Sequence, residues 1–171
     1  METLKQTSKS YFMALTLMHL ALVGGIVFFG GIMTFLITSE AGSPGMSDLL
    51  PAFLYVVPIF FVLGIISSFL VYRKRVGDLK NEQDLTSKMT GYRGAFIVRL
   101  ALLEGPAFFA IVVTFLTGNL WFLLFAGFIA VYMIYLRPVK ETIASDLDLN
   151  YDDIAKLKNP DYLIAEVLTR N

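Results

Sequence analysis

From Tyr11 to Ile37 the chain runs twenty-seven residues without a charged side chain, and His19 is the only group there that titrates near neutrality. As a helix this run is about 40 Å long, more than a hydrocarbon core needs. A helix that is apolar on every side belongs in a bilayer or in the core of a large protein. The chain has 171 residues, of which 56% are apolar and 16% charged, whereas soluble domains have roughly 45–50% and 25%. With a mean hydropathy of +0.67, the bilayer is the consistent choice. A secretory signal has an apolar core of about 7–15 residues, so the first run reads as a retained helix.

Three more apolar runs occur further along, and they predict an all-α membrane fold in a single domain, residues 1–171. The expected helices are 11–37, 51–72, 94–117 and 120–136, with a polar loop at 73–93 and a polar tail at 137–171. Pro51 suits a helix start. Pro58 frees the carbonyl of Leu54 and predicts a kink. In the loop, Lys80/Asp84 and Asp84/Lys88 have the i,i+4 spacing of helical ion pairs. In the tail, Asn159-Pro160 reads as the start of a last helix carrying Ile164, Val167 and Leu168. The tail is expected to lie on the membrane surface or on the loop.

Charge placement sets the orientation. All fourteen Lys and Arg residues fall in the N-terminus, in the loop with the start of the third helix, or in the tail. The opposite turns, 38–50 and 118–119, have none. The positive-inside rule then places both termini in the cytoplasm, for a multi-pass protein of the bacterial inner membrane. The same bias argues against a dual-topology small multidrug exporter, a four-helix build of similar size.

Shifting the chain by eighty residues lays the first helix over the third without gaps. Leu20, Ala21, Leu22, Gly25, Phe28, Phe29, Thr34, Phe35 and Leu36 recur as Leu100, Ala101, Leu102, Gly105, Phe108, Phe109, Thr114, Phe115 and Leu116. Helices two and four align more weakly, through Gly64/Gly127, Ile66/Ile129 and Tyr72/Tyr135. The expected architecture is therefore two tandem helical hairpins in parallel repeat, with the first and third helices facing each other. Ala14, Met18, Ala21 and Gly25 make a low-relief stripe on the first helix. Gly24, Gly25, Ala21, Ala101 and Gly105 are the expected helix-packing positions.

Glu104 breaks the apolar pattern. A charge at that depth costs roughly 2.5 kcal/mol or more, so the residue is the candidate intramembrane site. Its small neighbours predict that it faces another helix, and desolvation favours its neutral form. Pro106 takes away the helical donor of the Leu102 carbonyl. Glu104, Pro106 and Leu102 together are thus expected to form a polar site for a proton, a cation or a water. Secondary candidates are His19, as an interfacial polar residue, and Arg99, snorkelling to the headgroups. The repeat places Gly24 opposite Glu104.

The chain has no cysteine and one histidine, which removes disulfides, thiolate chemistry and cysteine-ligated metals. No metal, cofactor, nucleic-acid partner or catalytic residue is expected.

Four segments carry a resemblance: Leu100 to Ala107, Leu116 to Asn119, Arg137-Pro138 with Lys140-Glu141, and Tyr55, Pro58, Gly64-Ile65 and Ser68 of the second helix. Through them the whole chain resembles a family of small four-helix inner-membrane proteins of Bacteroidota that has no established activity. The resemblance implies fold and context, not chemistry. The functional expectation is a non-enzymatic accessory or assembly subunit that contacts the lipid bilayer and either itself, as a homo-oligomer, or another membrane protein. The alternative is a small proton- or cation-coupled transporter using Glu104.

Overall fold

The structure, a computed structural model, describes residues 2–39, 42 and 45–169, and the side chains of all these except 2–4, 47 and 166–169. In chain order it places β1 (Glu2–Thr7), α1 (Ser8–Thr38), α2 (Leu50–Leu79), α3 (Leu85–Thr117), α4 (Leu123–Tyr135), α5 (Lys140–Asp146), α6 (Tyr151–Lys158) and β2 (Leu163–Thr169). Short 3-10 turns at Ser47–Leu49 and Leu120–Phe122 precede α2 and α4. Among the described residues α1, α2 and α3 are long and apolar enough to cross a membrane. A fourth span is counted when α4 is taken together with α5. The fold is thus largely helical, as expected.

Two compact units divide the chain. The mixed unit, polar and apolar by turns, holds Met1–His19, Leu70–Arg99 and Arg137–Asn171. The apolar unit holds Leu20–Phe69 and Leu100–Leu136. Each of α1, α2 and α3 supplies a segment to both.

In the mixed unit, two expectations give way. The span 73–93 is mostly helix, because α2 runs on to Leu79 and α3 starts at Leu85. The reason is an apolar stripe hidden among the charges. Tyr72 and Val76 on α2, with Leu85, Met89, Tyr92 and Phe96 on α3, are buried at helical spacing. Gly91 allows the close return, since a Cβ there would overlap the Leu79 side chain. Asp84 forms neither expected helical pair. Its carboxylate accepts from the Ser87 amide at 3.0 Å and caps α3, while Lys80 pairs instead with Asp148 at 2.6 Å.

The second correction concerns the tail. Asn159-Pro160 ends α6 rather than starting a helix, and the Asn159 side chain accepts from the Asp161 amide in a turn. The next element is a strand, β2, antiparallel to β1 with Lys5 opposite Glu166 and Gln6 opposite Ala165. Ile164 and Ala165 are buried on it, whereas the side chains of Val167 and Leu168 lie outside the described residues. β-branched residues fit a pleated, half-buried surface, but the partner strand is at the other end of the chain, where no local pattern reveals it. At α6, Asn150 caps the Asp153 amide at 2.8 Å. Asp153, bonded to Lys156, raises that ammonium's pKa above the ordinary lysine value.

The tail also completes the start of α1. The first amides of a helix have no partner within it. Here the Ser8 amide donates to the Tyr162 carbonyl at 2.9 Å and that of Lys9 to Pro160 at 3.0 Å. The Ser8 hydroxyl, fully buried, donates to the Leu157 carbonyl at 2.6 Å. One turn on, the Tyr11 hydroxyl donates to the Met89 carbonyl at 2.6 Å.

In the apolar unit, α3 is the central helix. In its most apolar window 44% of residues are buried, against 11% for α1 and 17% for α2. Phe108 meets Phe29 of α1 at 5.4 Å, and Phe109 meets Phe60 of α2 at 5.2 Å, both edge-on. The first and third helices are thus in contact, as expected. Phe61 of α2 reaches Phe125 of α4 at 5.3 Å. Hydroxyls in this unit bond back to their own helix, Thr114 to the Ala110 carbonyl at 2.9 Å. Pro58 sits inside an α2 that stays helical on both sides of it.

Candidate functional site

Glu104 lies on α3 at the edge of that helix's buried arc. Leu100, Leu103, Ala107, Ala110 and Ile111 are buried, whereas Ala101 and Gly105 are exposed and Glu104 is half-buried. The side expected to face another helix of the bundle is therefore open surface. No atom comes within 4 Å of where a Cβ on Gly105 would stand. Among the described residues the carboxyl makes neither a hydrogen bond nor an ion pair.

Pro106 and Leu102 belong to a different contact. Pro106 is buried, and the Leu102 carbonyl has lost its helical donor to the proline ring. Gly64 of α2 covers both. A Cβ built on Gly64 would overlap the Pro106 ring and stand 3.1 Å from the Leu102 oxygen. The hydrogen that glycine carries in that direction points at the freed carbonyl, in the C–H···O geometry common at close helix crossings. The freed oxygen is spent on helix packing, and Glu104 makes no hydrogen bond to it.

The expected packing positions are only partly used. A Cβ built on Gly25 would stand 3.9 Å from the Phe108 ring, and one on Gly30 would stand 3.6 Å from Ile111. A Cβ built on Gly24 would meet no side chain or other helix within 4 Å among the described residues, and Ala21 and Ala101 are exposed. The face that α1 buries carries Tyr11, Leu15, His19, Val23 and Ile26 rather than the low-relief stripe. Large side chains supply more van der Waals contact at such a face, and the small-residue reading passed them over.

His19 and Arg99 belong to an aromatic cluster in the mixed unit. His19 is 2% exposed and stacks on Phe96, with ring centres 5.9 Å apart. Phe96 stacks in turn on Tyr92 at 6.1 Å. The Arg99 guanidinium does not reach away from the protein; it lies 4.1 Å above the Tyr72 ring, well within cation–π range. The Tyr72 hydroxyl is 2.5 Å from an Asp146 carboxylate oxygen and 3.3 Å from the Tyr92 hydroxyl. It has one proton to give. The shorter bond to the carboxylate takes it, so Tyr92 donates to Tyr72. A single hydroxyl thus ties α2, α3 and α5 together. The Nδ1 atom of His19 is buried without a hydrogen-bond partner among the described residues.

Tyr72, Tyr92 and Asp146 escaped the sequence reading. Tyr72 closes the second apolar run and Tyr92 lies on the stripe that extends α3 ahead of the third, and that stripe was the available signal. Nothing local marked Asp146, which comes seventy-four residues after Tyr72. Among the described residues no three His, Cys, Asp or Glu side chains gather closely enough to hold a metal ion. Compared with protein-family models, with curated proteins and with solved structures, the chain matches none.

Proposed function

We propose that this chain is a non-enzymatic accessory or assembly subunit of the bacterial inner membrane, with the α3 face around Glu104 as its contact with another membrane helix. The observation that carries this reading is the half-buried Glu104 carboxyl on α3, which has no partner among the described residues. Ionisable groups at such depth face protein or a water-filled cavity, and they pair there. Ala101 and Gly105 flank the carboxyl on the open side. Small residues let a second backbone approach and bring a hydrogen-bonding group within reach. That helix belongs to a second copy of the chain or to a different membrane protein.

The orientation proposed with it has both termini in the cytoplasm. Every Lys and Arg of the chain falls in a segment of the mixed unit, and none falls in the apolar unit. That separation supports the positive-inside reading. The tandem repeat of α1 on α3 and α2 on α4 is part of the same proposal, supported by the nine identities at a constant offset of eighty residues. So is kinship with the small four-helix membrane proteins of Bacteroidota, through the segments from Leu100 to Ala107 and from Leu116 to Asn119.

Two substitutions test the reading against transport. In Glu104→Gln the amide still donates and accepts hydrogen bonds but cannot carry a proton as a carboxyl does. In Glu104→Leu no polar group remains. Full-length tagged protein purified from membranes, with partners identified by mass spectrometry, is expected to keep its partners in Glu104→Gln and lose them in Glu104→Leu. Retention in both variants removes the assembly reading.

A further inference from the structure

We propose that the groove between α5 and α6 holds the phosphoethanolamine headgroup of a bilayer lipid. The groove is a cavity of about 450 Å³, within the range of small-ligand sites. Its floor includes Leu149 and Leu157, both buried. Around that apolar floor stand charges of both signs, Lys140 and Lys158 against Glu141 and Asp148. Two cations and two carboxylates around one small cavity suit a ligand that is itself a zwitterion. An anionic headgroup meets the lysines but is repelled by the carboxylates.

The local contacts leave these groups available. The Asp148 carboxylate meets Lys80, from outside the groove, through Oδ2 at 2.6 Å, which leaves Oδ1 for a ligand. The Lys140 ammonium lies 5.1 Å over the Phe12 ring, a contact that neutralises no charge. Lys158 and Glu141 make no ion pair among the described residues.

Two features place a lipid within reach. Lys140 comes four residues after Leu136, the end of the last apolar run, and Phe12 is the second residue of the first apolar run. The Lys140–Phe12 contact therefore joins the two points where apolar sequence gives way to polar, which is where headgroups lie. The phosphate goes to Lys140 and Lys158, the primary ammonium to Glu141 and Asp148, and the glycerol end to the apolar floor. A trimethylammonium headgroup has the same charges but no N–H to donate, so ethanolamine is preferred over choline.

The test uses the full chain, delipidated in mild detergent and offered equal amounts of palmitoyl-oleoyl phosphatidylethanolamine, phosphatidylcholine and phosphatidylglycerol, with retained lipid measured by native mass spectrometry. Phosphatidylethanolamine is expected to be retained about fivefold over each of the others, the scale of one or two partly exposed charge contacts. Glu141→Gln and Lys158→Gln, both at exposed positions, are each expected to erase that preference, while Lys74→Gln, exposed and outside the groove, leaves it intact. Equal retention of the three lipids overturns the proposal, as does a preference that survives both groove substitutions. Displacement of the lipid by free O-phosphoethanolamine at equal concentration overturns the lipid as the source.

Discussion

Gly64 of α2 and Pro106 of α3 meet so closely that no other residue fits at position 64 without moving the proline ring. The proline exposes a carbonyl, and the glycine lets the neighbouring helix cover it. Two residues that each weaken a helix are thus paired at one crossing, and each compensates the other's defect.

Gly64→Ala is expected to destabilise the protein by about 1–3 kcal/mol, the cost of overpacking a close contact. Gly31→Ala, where no atom lies within 4 Å of the added Cβ, is expected to be neutral or slightly stabilising because alanine is the better helix former. Adding Pro106→Ala to Gly64→Ala removes the ring that the Cβ strikes, so the double variant recovers part of the loss. Thermal unfolding in one detergent measures all three. An additive double variant would mean that the two residues do not act on each other.

The Tyr72 hydroxyl gives a second test. Asp146→Ala removes the acceptor of a buried hydroxyl bond and is expected to cost about 1–3 kcal/mol. Because Asp146 belongs to α5, limited proteolysis should cut first in the tail beyond it, with α1 to α4 still protected. An unchanged cleavage pattern would show that the tail is held by other contacts.

Ser8 tests the link between the two ends of the chain. Its buried hydroxyl donates to the Leu157 carbonyl, and Ser8→Ala leaves that oxygen without its donor, at about 1–2 kcal/mol. Hydrogen exchange should rise together in β1, at the start of α1 and in β2. A rise confined to α1 would contradict the tether.

How much of the fold was legible in the sequence depended on the range of the interactions. The apolar runs announced their helices because a bilayer leaves the backbone few other ways to satisfy its hydrogen bonds. Where that constraint ended, so did easy reading. The extensions to Leu79 and from Leu85 carry their apolar residues singly among charges, so the run-length criterion missed a stripe that helical spacing would have caught. β2 was unreadable locally, since its pairing partner is the polar start of the chain. The polarity of Glu104 was visible, but its direction was not. Small neighbours say that a face is flat, not whether the chain's own helices cover it.

His19 offers a test in the opposite sense. A buried imidazole nitrogen without a hydrogen-bond partner among the described residues pays desolvation with no return, and replacing such a group by an apolar one of similar shape is often neutral or stabilising. His19→Phe keeps a ring to stack on Phe96 and is expected to melt no lower than the parent. A loss of more than about 2 kcal/mol would show that the nitrogen serves the fold.

The most direct measurement of the assembly proposal uses the absence of native cysteine. A single cysteine is introduced at Ala101, beside Glu104 on the open face of α3, and separately at Phe28, which is 71% exposed on α1. Membranes carrying each full-length variant are labelled at the thiol with a short photoreactive crosslinker that inserts into C–H bonds on illumination, and the adducts are resolved by mass. Ala101→Cys is expected to give a discrete adduct, with a second copy or with one other membrane protein, that disappears when Glu104→Leu is added, while Phe28→Cys gives only lipid. If Ala101→Cys also captures only lipid, the Glu104 face is bare in the membrane and the assembly reading is wrong.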